Sequence, residues 1–276
     1  MGEPNLPARQ MGRQLKRMRE RLGMTQDEAG APLRMSTSKM SRIEMGYLPP
    51  YHDFRALLDR YGVIVSDWDE YISAYDRAKE KGWWHHYGVG NRGFLPIEAE
   101  ASKVQEFQFG YIPGLLQTEA YMREVFVAAR VPMKPKVLEN QVAVRLRRQL
   151  RLTEEPLLTY HAIIDESTLR RPILYGKARQ EQLRNIIERA VLPNVTVQVV
   201  AEEVGAYPGQ FGSVTVAGFE DPEEPDIAYV EHIIGSVHIE KKDEVSAARL
   251  ALKDFADRAL DEEDSVALIE RLCAGG

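Results

Sequence analysis

The sequence predicts an all-α N-terminal module of five short helices over residues 1–82 and an α+β C-terminal domain with a mainly antiparallel sheet over residues 98–276, joined by an aromatic and glycine-rich linker at 83–97. Three observations predict this. Apolar residues in the first part recur at helical spacing between capping and glycine signals. In the second part β-rich runs bunch together with helical runs before, between and after them, the order of an α+β sheet and not of a doubly wound one. Charge divides the same way: eleven Lys and Arg against seven Asp and Glu in residues 1–60 give +4, while 25 against 35 in residues 61–276 give −10. A basic head on an acidic body is what a phosphate-binding module attached to a non-binding domain shows.

The helices follow in order. Met11, Leu15, Met18 and Leu22 mark the apolar face of helix 1, whose other faces carry Arg13, Lys16, Arg17, Arg19 and Arg21, and Gly23 stands where a left-handed cap is expected. Thr25-Gln26-Asp27-Glu28 is a capping box that opens a short helix 2. Ser36 is an N-cap for helix 3, with Met40 and Ile43 facing inward, Thr37, Ser38, Lys39 and Arg42 facing outward, and Gly46 at the end. After Pro49-Pro50, Phe54, Leu57, Leu58 and Tyr61 define helix 4. Ser66-Asp67-Trp68-Asp69 reads as a second capping box, opening a helix 5 with Trp68, Tyr71, Ile72 and Tyr75 on its apolar side.

The run from Thr25-Gln26 through Ser36-Thr-Ser-Lys-Met-Ser-Arg-Ile-Glu44-Met-Gly46 resembles the Xre/Cro-type helix-turn-helix. That resemblance implies a double-stranded DNA partner and a recognition helix in the major groove, where base edges present distinguishable donors and acceptors. Thr37, Ser38 and Arg42 are then the expected base readers, Ser36 starts the helix, and Gln26 and Lys39 are expected at phosphates. The resemblance also implies a partly buried structural ion pair between Arg19 and Glu44. Two departures bear on it. Ala29-Gly30 and Pro32 stand where a longer helix 2 is usual, and Arg34 replaces the glycine common in the turn, where a left-handed residue is strained by about 1 kcal/mol.

In the linker, His85 and His86 have no cysteine or acidic residue at ligand spacing, so the Trp83-to-Gly93 stretch reads as an aromatic connection packed on the C-terminal domain, with no metal site. Beyond it, Leu157 to Ile164, Val195 to Val200, Gly212 to Phe219 and Ile227 to Ile234 read as strands, and Ala178 to Val191, Asp243 to Leu260 and Glu262 to Leu272 as helices. The stretches Glu98 to Lys103, Ile112 to Thr118, Asp165 to Arg171 and Ala228 to Glu231 resemble the domain of unknown function that follows an Xre-type helix-turn-helix in many actinobacterial regulators. This resemblance implies an architecture and a small companion protein as partner, and no chemistry.

Function classes are narrowed by what is missing from the sequence. No P-loop, Rossmann fingerprint or Ser-His-Asp constellation is present, and no cofactor is expected. Glu98, Glu100, Asp165, Glu166 and Glu231 are the acid-base candidates, but Asp165 is placed to cap a helix and Glu98 and Glu100 fit a solvated helix face, so the chain is not expected to be an enzyme. Tyr111, Gln117, Glu166, Arg170, Tyr229 and Glu231 are the candidates for an effector or partner site on one sheet face. Residues 1–10 lack an apolar signal core, the lone Cys273 has no partner for an internal disulfide, and no run is apolar enough to span a bilayer, so the expected setting is the cytoplasm with no membrane contact. A homodimer reading an inverted repeat is the economical expectation, with an antitoxin-like regulator and an enzyme with a DNA-targeting head as alternatives.

Overall fold

The computed structural model describes residues 4–91, 93–128 and 133–275. It divides into two compact units, Met1–Gly82 and Trp83–Gly276.

The first unit holds α1 (Leu6–Arg21), α2 (Gln26–Gly30), α3 (Thr37–Glu44), α4 (Tyr51–Arg60) and α5 (Trp68–Lys79). Asn5 caps α1, and its amide nitrogen donates to the Ala78 carbonyl at 3.1 Å, tying the start of α1 to the end of α5. Gly23 has φ +68°, and the amides of Gly23 and Met24 donate to the carbonyls of Glu20 and Arg19, which satisfies the last turn of α1. The capping box of α2 is complete: Thr25 Oγ accepts from Glu28 N at 3.2 Å and the Glu28 carboxylate from Thr25 N at 2.8 Å. After Gly30 the chain tightens into a 3-10 turn at Ala31–Leu33, where Pro32 cannot continue an α-helix. Ser36 caps α3.

Met11, Leu15, Met40, Ile43, Phe54, Leu57 and Leu58 form the core of this unit. Two glycines allow its helices to approach closely. A Cβ on Gly12 would lie 2.6 Å from the Ile43 carbonyl oxygen, and one on Gly30 would lie 2.7 Å from that of Met35. At the start of α5 the expected capping box does not form. A 3-10 turn at Val65–Asp67 leads into the helix, and the Ser66 hydroxyl bonds the Asp67 side chain at 3.0 Å and no helix amide.

The second unit carries α6 (Leu95–Glu98), β1 (Lys103–Gln108), α7 (Glu119–Val127), α8 (Pro135–Gln149), β2 (Thr159–Asp165), α9 (Glu166–Arg170), α10 (Gly176–Ala190), β3 (Val195–Val200), β4 (Val214–Gly218), β5 (Ile227–His232), β6 (Gly235–Ile239), α11 (Lys242–Arg258) and α12 (Glu262–Ala274). Its six strands lie in the order β3-β2-β1-β4-β5-β6. The expected mainly antiparallel sheet is corrected to a mixed one: β1, β2 and β3 run parallel, and β4, β5 and β6 continue antiparallel from β1. The connections explain the change. Helices α7 and α8 lie between β1 and β2, and α9 and α10 between β2 and β3, long enough for parallel crossovers, whereas β4 to β6 are joined by loops and a tight hairpin. Central β1 has no counterpart among the expected strands, because Gln105, Glu106 and Gln108 break the apolar alternation that marks a strand.

One face of the sheet packs Phe107, Ile163, Val216 and Ala228 against Val245, Leu252 and Phe255 of α11. The outer edge of β3 is closed by the chain itself, with Val199 N donating to Ser265 Oγ and Leu260 N to the Val199 carbonyl, both at 2.9 Å. The aromatic segment lies on α8: Trp84, Leu95 and Val144 share a cluster, and the Arg147 guanidinium sits 4.4 Å over the Trp83 ring. His85 and His86 bond the Asn91 side chain and the Trp83 carbonyl. No helix among the described residues is long and apolar enough to cross a membrane.

Candidate functional site

In the first unit the amphipathic pattern of α3 decides what faces solvent. Met40, Ile43 and Glu44 are buried, while Thr37, Ser38, Arg42 and Met45 are exposed on the outward side. Beneath that surface the helix is pinned. Arg19 Nε donates to Glu44 Oε1 at 2.5 Å, Arg19 Nη2 to Glu44 Oε2 at 3.0 Å and Arg19 Nη1 to the Met24 carbonyl at 2.6 Å. Hydrogen bonding to Glu44 raises the Arg19 pKa against the cost of burial, so the guanidinium stays charged. This is the structural pair implied by the family resemblance.

The six residues expected at DNA are arranged unequally. Thr37 Oγ1 lies 3.4 Å from an Asp27 carboxylate oxygen, and the Ser36 hydroxyl caps α3. Ser38 and Arg42 have no side-chain hydrogen bond or ion pair among the described residues, so their polar groups are available. Two expected phosphate contacts are engaged elsewhere. The Gln26 amide nitrogen donates to Glu44 Oε2 at 2.8 Å, joining α2 to the ion pair, and Lys39 Nζ lies 2.5 Å from Asp53 Oδ2 of α4. A phosphate at Lys39 would have to compete with that carboxylate. Arg34 is expected from the sequence only as a strained turn residue. The structure places it at φ 57° in the turn before α3, exposed and without an ion pair among the described residues. An arginine where a glycine is expected was the signal available.

In the second unit the six sequence candidates separate. Glu166 is buried at the start of α9, accepting from Arg170 Nε at 2.8 Å and Glu202 N at 2.9 Å, and neighbouring Asp165 caps α9 while accepting from the Tyr207 hydroxyl at 2.5 Å. Tyr111 lines a shallow groove with Gly110, Glu124 and Arg171. Gln117, Tyr229 and Glu231 belong to a different cluster, so convergence of all six on one sheet face is corrected. Side chains of parallel and antiparallel strands meet only in register, and the register puts Glu106, Thr215, Tyr229 and His238 in one row across β1, β4, β5 and β6.

Over this cluster α8 places Arg145 and Arg148. Arg148 Nε and Nη2 each reach Glu98 at 2.6 Å. Glu98 is therefore no solvated helix residue: it is buried, and only a paired carboxylate is stable there. Burial lowers the Arg148 pKa and Glu98 more than restores it, for a net rise. Arg145 Nη1 donates to Gln117 Oε1 at 2.7 Å, and Gln117 Nε2 to the Ile112 carbonyl at 2.6 Å. Burial, followed by the charge of Arg148, brings the Arg145 pKa down to about 10 against the pull of Glu231. Glu106 accepts from the Tyr160 hydroxyl and from Gln108 Nε2, yet burial raises its pKa above the usual carboxylate range. Sequence analysis missed Glu106, Arg145 and Arg148, and its only signal was polar residues inside otherwise apolar runs.

The geometry of the first unit defines a helix-turn-helix protein, and residues 10–68 match the family model described as a helix-turn-helix domain. Residues 92–271 match the model described as domain of unknown function DUF5753, and the chain belongs to that family. No curated protein and no solved structure matches the chain.

Proposed function

We propose that the protein is a sequence-specific transcriptional regulator that works in the cytoplasm and binds an inverted-repeat operator as a homodimer. The observation that carries this reading is the outward face of α3: Ser38 and Arg42 exposed with free polar groups, on a helix held rigidly by the Arg19–Glu44 pair. A guanidinium fork matches the O6 and N7 of guanine, and short hydroxyl side chains at a helix N-terminus approach base edges closely. Arg34 supplies a phosphate contact, with Lys39 as a weaker one because of Asp53. Two copies reading half-sites about 34–36 Å apart extend the recognised sequence beyond what one helix covers. The second unit is the signal-receiving part. A non-enzymatic role is supported by the engagement of its buried carboxylates: Glu98 with Arg148, Asp165 with Tyr207 and Glu166 with Arg170.

The test is in vitro selection of a binding site followed by titration of labelled duplexes. Arg42→Ala is expected to weaken the selected site by about 1–3 kcal/mol while leaving random DNA nearly unchanged. Equal losses on both would remove Arg42 from base reading, and failure of the wild type to bind any duplex at low salt would overturn the proposal.

A further inference from the structure

We propose that the second unit holds a binding site for the anionic group, carboxylate or phosphate, of a small molecule, anchored by the guanidinium of Arg145. Arg145 and Arg148 lie one turn apart on α8 and project to the same side. Their surroundings differ. Arg148 is neutralised by buried Glu98 through both prongs of its fork. No carboxylate among the described residues lies within ion-pair distance of Arg145; its one side-chain hydrogen bond runs from Nη1 to Gln117, and its flat face lies 4.4 Å from the Phe126 ring centre.

A guanidinium has five N–H donors, and only Nη1 is engaged, so the edge carrying Nε and Nη2 has no side-chain or backbone acceptor among the described residues. That edge is not sealed, since neither nitrogen is a buried atom lacking a partner. The space beside it is kept clear by Gly114. A Cβ there would sit 3.9 Å from Arg145 Nε and 3.7 Å from Arg148 Nη2, so any larger side chain would enter the gap next to both guanidinium groups. Glu106, the other buried acid of the cluster, is engaged by Tyr160 and Gln108, and exposed Glu231 attracts Arg145 without pairing with it. One positive charge therefore remains in a mostly enclosed setting, where an uncompensated charge is costly. Its open edge presents two parallel N–H donors, which fit the paired oxygens of a carboxylate or a phosphate.

This inference gives the signal-receiving unit of the proposed regulator a ligand class, but it rests on the geometry of that unit, and its test uses no DNA. The full chain is treated with phenylglyoxal, an arginine reagent, in sodium chloride, inorganic phosphate or succinate at equal ionic strength, and modification of each arginine is followed by peptide mass spectrometry. Arg145 is expected to react, and phosphate or succinate to slow it several-fold relative to chloride while exposed Arg77 and Arg184 react at unchanged rates. Protection by phosphate alone assigns a phosphorylated ligand, and protection by succinate alone a carboxylate. Gly114→Val, checked for folding by near-ultraviolet circular dichroism, is expected to abolish the protection with Arg145 still present. An unreactive Arg145, equal rates in all three salts, or full protection in a folded Gly114→Val chain would each overturn the proposal.

Discussion

Arg19 on α1 and Glu44 on α3 meet through both guanidinium prongs, at 2.5 and 3.0 Å, and Gln26 on α2 closes the group from a third helix at 2.8 Å. The recognition helix is thus held by charge as well as by its apolar face. Glu44→Ala leaves a buried guanidinium uncompensated and is expected to destabilise the first unit by about 3–5 kcal/mol. Urea unfolding followed by circular dichroism measures this, and a loss below that of an ordinary surface substitution would show that the pair contributes little.

Gly12 illustrates a helix glycine retained for space. Alanine is the better helix former by about 1 kcal/mol. Its Cβ, however, would lie 2.6 and 2.8 Å from the carbonyl oxygens of Ile43 and Glu44, which are backbone atoms that cannot step aside. Gly12→Ala is therefore expected to lower stability by about 1–3 kcal/mol despite its propensity, as overpacking does. A rise in the thermal midpoint would contradict the close approach of α1 and α3.

Arg34 joins a stability cost to a proposed binding role. Its left-handed backbone, φ 57° and ψ 33°, is relaxed by glycine, so Arg34→Gly is expected to stabilise the unit by about 1 kcal/mol. If its side chain touches a phosphate, the same change lowers affinity on all sequences and reduces the salt slope by about one. Thermal melts and salt-dependent DNA titrations read the two effects separately, and opposite signs are expected.

Glu106 sets a pH dependence in the second unit. Its folded pKa is raised by burial above the unfolded value, so the folded chain binds a proton more tightly than the unfolded chain does. The stability it contributes is fully present below its ordinary value of 4.5 and is lost as pH rises through the raised one. Glu106→Gln keeps an acceptor for Tyr160 and removes the titration, with the Gln108 amide turning over to accept. The variant is expected to melt at or above the wild-type temperature at neutral pH, with the advantage shrinking on acidification. A variant that loses stability equally at every pH would show that the carboxyl is needed as such.

Most of the first unit was legible because its signals are local. The boxes and caps at Thr25, Ser36, Gly23 and Gly46 act within one helical turn, and the inward residues Met40 and Ile43 follow from spacing alone. Ser66 misled for the same reason: a capping pattern requires an extended backbone at the cap, and the chain enters α5 through a 3-10 turn. In the second unit the apolar strands β2 to β5 and helices α10 to α12 are readable from pattern, whereas β1, β6, α7 and α8 have no counterpart among the expected elements. The inner faces of β1 and α8 carry Glu106, Gln149 and the two arginines, and a polar residue gives the same signal whether it faces solvent or a buried partner.

By itself the sequence determined the helix boundaries at Gly23, Thr25, Ser36 and Gly46, the outward placement of Thr37, Ser38 and Arg42, and the division between a basic head and an acidic body, since all of these depend on neighbours a few residues apart or on composition. Tertiary structure alone decided the parallel half of the sheet, the pairing of Lys39 with Asp53, and the contrast between neutralised Arg148 and open Arg145. Those outcomes join residues separated by 14, 28 and 50 positions, and whether a charge is balanced is fixed only when the fold brings its partner, or none, within a few ångströms.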